Sequence, residues 1–156
     1  MINSAVPRRL APKHELHEAR IEGLREVRAY IDAIDLSGIK AGLTQPSHEG
    51  GRGWSHGMAD YFEPMYRTWL FLRRKYEDEL MPPHMDMDEF WHGHILDTRR
   101  YIEDCNHIFG HYFHHFPYFG IRGEGDRQNL LGAWENTQRR FYEETGDYVY
   151  DYDGNV

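Results

Sequence analysis

Residues 88–94, Asp-Glu-Phe-Trp-His-Gly-His, bring one carboxylate and two imidazoles close together in the chain. Neutral imidazole is the commonest side-chain metal ligand, and unperturbed histidine titrates near neutral pH. With a carboxylate it suits zinc, iron(II) or copper. Spacing limits how these groups can cooperate. On a helix, Asp88 and His92 stack on adjacent turns and can hydrogen-bond or ligate one ion. His94 lies about 160° round from His92, at about 100° per residue, so the two imidazoles diverge. One ion held by both would need a distortion, which Gly93 permits. Otherwise one histidine is a ligand and the other packs in the core or orients a ligand.

The following residues decide which way this helix faces. Trp91, His94, Ile95, Thr98, Tyr101, Ile102, Cys105 and Phe109 share one stripe, and this periodicity predicts that His94 and Tyr101 are buried. His107, His111 and His115 recur at four-residue spacing, with His114 beside them. Such spacing is metal-competent, but on a continuous helix these residues lie opposite the stripe, and His107 and His114 are expected at the surface. Tyr101 and Asp104 are the candidates for proton transfer. Cys105 reads as a small apolar core residue, and as the only cysteine it excludes an intramolecular disulfide. Arg20 and Arg73 fall within apolar stripes. Either clamps an anionic substrate, or buries its stem and pairs its head.

Four main helices are predicted to position these groups, near 13–36, 58–80, 87–116 and 126–145. Residues 1–11 read as a loose arm, 38–57 as a long glycine-rich loop and 147–156 as an acidic, aromatic tail. The third helix has the clearest start, with Asp86 as N-cap, Glu89 completing a capping box, and Met85 and Phe90 placed as a hydrophobic staple. Pro64 either kinks the second helix or starts it, and the Met-Pro-Pro of 81–83 ends it. The expected fold is an all-α, single-domain helical bundle spanning 1–156.

Composition narrows the function. The formal charge of −8 argues against a nucleic-acid partner, because phosphate neutralisation needs a basic face. No apolar run approaches the roughly 20 residues of a membrane span, and the absence of a visible signal peptide points to the cytoplasm. Eleven histidines and 15% aromatic residues are the unusual features.

The stretch MDEFWHGHILDTRRYIEDCNHIFGHYFHHFPYFG resembles the glycine-rich domain-containing protein-like family, without the glycine-rich extension of its plant members. The family pattern falls on Asp88, Trp91, His92, His94, Leu96, Tyr101, Asp104, Cys105, Gly110 and His115, and YRTWLFLRRKY upstream is similar to its bacterial branch. The resemblance spans roughly residues 60–145 and is specific around 88–118. It implies that His92, His94 and His115 are the histidines of a site, while His107, His111 and His114 do not fall on firm positions of the family pattern.

Two functions are weighed on these grounds. The first is a histidine-ligated, metal-dependent enzyme, redox or oxygen-activating before hydrolytic, acting on a small apolar or aromatic substrate. Its ligands come from Asp88, His92, His94 and His115, and its divalent metal is iron, copper or zinc. The second is a non-catalytic module binding a small ligand, peptide or protein, with structural histidines. A single metal site meets one geometric objection. A straight helix would set His94 and His115 about 30 Å apart, so the chain must turn back, at Gly110, or a second protomer must supply His115.

Overall fold

A computed structural model describes residues 15–154. The expected arm at 1–11 lies outside the described residues, as do Pro12, His14 and 155–156. Among the described residues the fold is all-helical, with six α-helices, one short 3-10 turn and no strand. None of these helices is long and apolar enough to cross a membrane.

The expected first helix is shorter than 13–36. Among the described residues of that span only α1 (Leu24–Ala33) is helical. Ahead of it, the His17 N–H donates to the Gly110 carbonyl (2.6 Å) and the Ile21 N–H to the His107 carbonyl (2.8 Å). These bonds tie 17–21 against the end of a later helix, so tertiary pairing outweighs local helical periodicity. Val27 and Ile31 are the buried side of α1.

The expected loop at 38–57 is mostly ordered into α2 (Ser37–Thr44) and a 3-10 turn (Ser47–Glu49). Ile39 and Leu43, four apart, are buried, while Gly38 and Gly42 face open space. Burial of that pair overrides the poor helix propensity of glycine. The Asp35 carboxylate starts the turn by accepting from the Ser37 N–H (2.9 Å) and hydroxyl (2.6 Å).

The pillar of the fold is α3 (His56–Lys75), which contacts α1, α2, α4 and α6. The Ser55 hydroxyl caps it by accepting from the Met58 N–H (3.1 Å), and Pro64 lies inside it, not at its start. Phe62, Tyr66, Trp69, Leu70 and Leu72 are buried. Each aromatic of this kind removes about 150–250 Å² from water, about 4–6 kcal/mol before entropy is subtracted. Arg67 reaches from α3 to the end of α1 and donates to the Ile31 (2.5 Å) and Ile34 (2.9 Å) carbonyls, satisfying groups that a helix end leaves open.

The single helix expected at 87–116 is replaced by α4 (Met85–Leu96), α5 (Thr98–Ile108) and an irregular segment. Asp97, at ψ 70°, breaks the first pair. Gly110 ends α5 at φ 76°, its N–H donating to the Cys105 (3.0 Å) and Asn106 (3.1 Å) carbonyls. A side chain there would be strained in the left-handed region and would also meet Arg20. The capping box at Asp86 does not form. His84 is the N-cap, its Nδ1 accepting from the Asp86 N–H (3.1 Å), and Met85 is exposed, away from any staple. His84 sits at φ −57° and ψ 148°, the non-helical conformation that an N-cap requires.

The last helix, α6 (Glu124–Thr145), ends at Gly146 with φ 78°. The tail beyond it is irregular yet anchored. The Gln138 side-chain amide pairs with the Val149 backbone in both directions (2.8 Å each), Val149 is buried, and Asp151 bonds His84 Nε2 (2.6 Å).

Candidate metal centre

One flank of α4 presents Asp88 and His92, with His92 Nε2 3.2 Å from Asp88 Oδ2. The turn at Gly110 sends 111–117 back along α4 and delivers His115. Its Nε2 lies 2.9 Å from Asp88 Oδ1 and 3.0 Å from His92 Nε2. One ligand atom from each residue falls within 4.8 Å of the others, so these three could hold a metal ion. Donors about 2.1 Å from a metal stand about 3.0 Å apart in cis octahedral positions and about 3.4 Å apart in a tetrahedron. The two imidazole nitrogens, 3.0 Å apart, are within that range, and each meets a different oxygen of Asp88. The site is part-buried, with side-chain exposures of 28% for Asp88, 39% for His92 and 19% for His115.

Aromatic stacking and one buried hydroxyl place His115. Its ring stacks on Trp91 at 4.4 Å, and Trp91 stacks on Phe113 at 5.1 Å. The Trp91 Nε1–H donates to the Tyr101 hydroxyl (3.0 Å), which in turn donates to the Phe113 carbonyl. Tyr101, the expected proton-transfer group, is therefore buried and holds the loop bearing His115. Burial pushes its phenol far above the usual range.

His94 stands apart from the three ligands. It is 1% exposed, with Nδ1 2.7 Å from the Tyr66 hydroxyl and Nε2 2.7 Å from Asp104 Oδ2. Tyr30 donates to the other Asp104 oxygen (2.7 Å). An ionised carboxylate only accepts, so the Nε2–H points to Asp104. Burial raises the Tyr66 phenol well above its usual range, which keeps it protonated as donor to Nδ1. This network joins α1, α3, α4 and α5. Asp104, the second expected proton-transfer residue, is engaged within it.

The helix stays regular through Gly93, which answers the question of distortion. An added Cβ there would stand 2.7 Å from Ile39 Cγ2, so the glycine lets α2 approach α4. Among the described residues no further histidine joins the Asp88, His92 and His115 group, although His114 lines the neighbouring cleft. His107 is half-buried, contrary to expectation, because its ring stacks on Tyr30 at 4.9 Å. His111 bonds the Tyr112 carbonyl (3.0 Å), and His114 is exposed as expected. Sequence reasoning missed two supports. Phe113 holds the returning loop, and His84 bridges α4 to the tail; histidine is not among the usual N-cap residues, so no local signal marked it.

Asp88 and His115 border a cleft of about 290 Å³, walled by Trp69, Met81, Pro82, Phe113 and Phe116, with Arg73 also lining it. The Trp69 Nε1–H fixes one wall by donating to the Met81 carbonyl (2.9 Å). A larger hollow of about 510 Å³ lies beside Tyr30, Asp35, Asp97 and Arg100. It touches none of the three ligands, and its Arg100 faces Asp97 (3.4 Å) and Asp35 (3.8 Å). The smaller cleft, walled mainly by aromatic and apolar side chains, is the one that Asp88 and His115 border. No protein-family model, curated protein or solved structure matches this chain.

Proposed function

We propose that Asp88, His92 and His115 bind a divalent transition metal, and that the protein is a metal-dependent enzyme acting on a small apolar or aromatic substrate in the adjoining cleft. One observation carries this reading. Three side chains from two separate segments meet at 2.9–3.2 Å, His92 and His115 each on one oxygen of Asp88, and two of them, Asp88 and His115, border that cleft. Two histidines and one carboxylate with open positions are the donor set of non-haem iron(II) oxygenases, which puts redox chemistry ahead of hydrolysis. A bound iron or copper would supply oxygen activation there, and zinc would activate water. The chain's own contribution is orientation. Trp91 fixes the His115 ring, Glu89 stands 4.0 Å from the outer nitrogen of His92, and the aromatic walls give the substrate an apolar surface to lie against. Kinship with the glycine-rich domain-containing protein-like family is proposed on the same residues.

A second reading follows from the same geometry. The three residues tie α4 to 111–117, so a metal there would also serve a binding module as a structural staple. The deciding experiment is elemental analysis of untagged protein, beside Asp88→Asn, His92→Ala, His115→Ala and His94→Ala, followed by oxygen uptake with a panel of aromatic substrates. The enzyme reading expects about one metal per chain, lost in the first three variants and kept in folded His94→Ala, with substrate-dependent oxygen uptake. Metal retained by the first three variants would sink the site. Metal without turnover would favour the staple.

A further inference from the structure

The Arg73 head differs from the other part-buried arginines. Arg20 forms a two-point pair with Glu77 (2.8 and 3.2 Å) and donates to the Phe109 carbonyl (2.6 Å). Arg140 grips Glu79 (2.6 Å), and Arg67 is spent on carbonyls at the end of α1. Arg73 donates to the Glu79 carbonyl, and among the described residues no carboxylate stands within ion-pair distance of it. Its guanidinium lies over the Phe113 ring at 5.4 Å. Burial draws its pKa down to about 10, which leaves it charged at neutral pH. A desolvated cation offset only by a more distant carboxylate, that of Glu79, is costly, and here it lines the same cleft as Asp88 and His115.

We propose that Arg73 is the carboxylate-recognition group of the cleft, so that the substrate class is a small aromatic or apolar carboxylic acid. The inference rests on the proposed metal reading for what happens at the other end of the cleft. A stacked ladder connects the two ends: Arg73 over Phe113 (5.4 Å), Phe113 on Trp91 (5.1 Å), Trp91 on His115 (4.4 Å). A compact acid can thus set its carboxylate on Arg73 and its apolar body along these rings, pointing toward the three ligands. A planar guanidinium matches a carboxylate fork. Among the described residues Arg73 is the one arginine or lysine lining the cleft, where a dianionic phosphate would call for more positive charge and would also face Asp88. A 290 Å³ space takes a molecule of this modest size.

Calorimetric titration tests the assignment, with phenylacetate and its neutral amide, phenylacetamide, as probes. Both are titrated into metal-free and zinc-loaded protein, wild type beside Arg73→Met and Arg73→Lys, with thermal melts verifying the fold. A charge-assisted pair in a part-buried site predicts that Arg73→Met weakens phenylacetate roughly ten- to hundred-fold and leaves phenylacetamide unchanged. Arg73→Lys keeps the charge, loses the fork and falls between the two. Equal affinity of folded Arg73→Met and wild type for phenylacetate overturns the proposal. So does equal binding of acid and amide, or no acid binding by either form of the wild type. Failure of the wild type to bind zinc overturns the metal reading alone, because the metal-free titration still decides the role of Arg73.

Discussion

Gly93→Ala is the substitution that best separates a glycine kept for packing from one kept as a hinge. An alanine Cβ would lie 2.7 Å from Ile39 Cγ2, with Ile39 Cβ and Cγ1 at 3.7 and 3.8 Å. Ordinary carbon contacts are about 3.5–4.0 Å, so the methyl intrudes by about 1 Å. Cγ2 is bonded directly to the branched Cβ, so rotation exchanges one branch for another and cannot simply clear the space. The helix α2 must therefore move off α4, an overpacking cost of about 1–3 kcal/mol. Against it stands a helix-propensity gain of about 1 kcal/mol for alanine over glycine. The expected net is a loss of about 1 kcal/mol, or about 2–4 °C in Tm for a chain of this length. Urea unfolding of wild type, Gly93→Ala, Ile39→Ala and the double variant isolates the contact. Ile39→Ala alone should cost about 2–5 kcal/mol. In its background Gly93→Ala should turn stabilising, with a coupling of about 1–3 kcal/mol. If Gly93→Ala stabilises the wild type by about 1 kcal/mol and the cycle shows no coupling, the packing argument is refuted.

The buried network should answer differently from the metal centre. His94→Ala removes the imidazole that bonds the Asp104 carboxylate, whose side chain is 8% exposed, and leaves a cavity in the core, at a cost of about 2–5 kcal/mol. Combined loss of His94 and Asp104 should cost less than the sum of the single losses; additive urea-unfolding values would contradict the network. Burial pushes the Cys105 thiol from 9.0 up to about 11, so native protein should resist iodoacetamide at pH 8 while unfolded protein reacts. The folded pKa lies above the unfolded one, so this contribution is fully present below about pH 9 and is lost as pH rises through 11. The shift corresponds to about 2–3 kcal/mol. Cys105→Ala should therefore flatten the fall in stability between pH 8 and 11, and parallel curves for the two proteins would refute it.

Much of the fold was legible where local chemistry and tertiary packing agree. The apolar stripe of 91–105 placed His94 and Tyr101 inside, and a three-dimensional core then buried them. Asp88 and His92, four apart, needed only a regular turn of helix to meet. Misreadings arose where distant partners outbid local preference. The backbone of 17–21 bonds the end of α5, cutting the first helix short, and Ile39 with Leu43 draws a glycine-containing stretch into α2. His84 took the cap expected of Asp86 while also bonding Asp151 in the distant tail.

The sequence by itself determined the all-helical class, the inward turn of His94, and the donor types at 88, 92 and 115. Periodicity and side-chain chemistry are local properties, and neither depends on what the helix packs against. Only the tertiary structure decided which imidazoles share a site. His92 and His94 are neighbours in the chain but diverge by most of a half-turn. His92 and His115, 23 residues apart, come within 3.0 Å, because Gly110 reverses the chain and the Trp91–Tyr101–Phe113 contacts hold the returning loop against α4. Proximity of this kind comes from packing, so no spacing in the sequence encodes it.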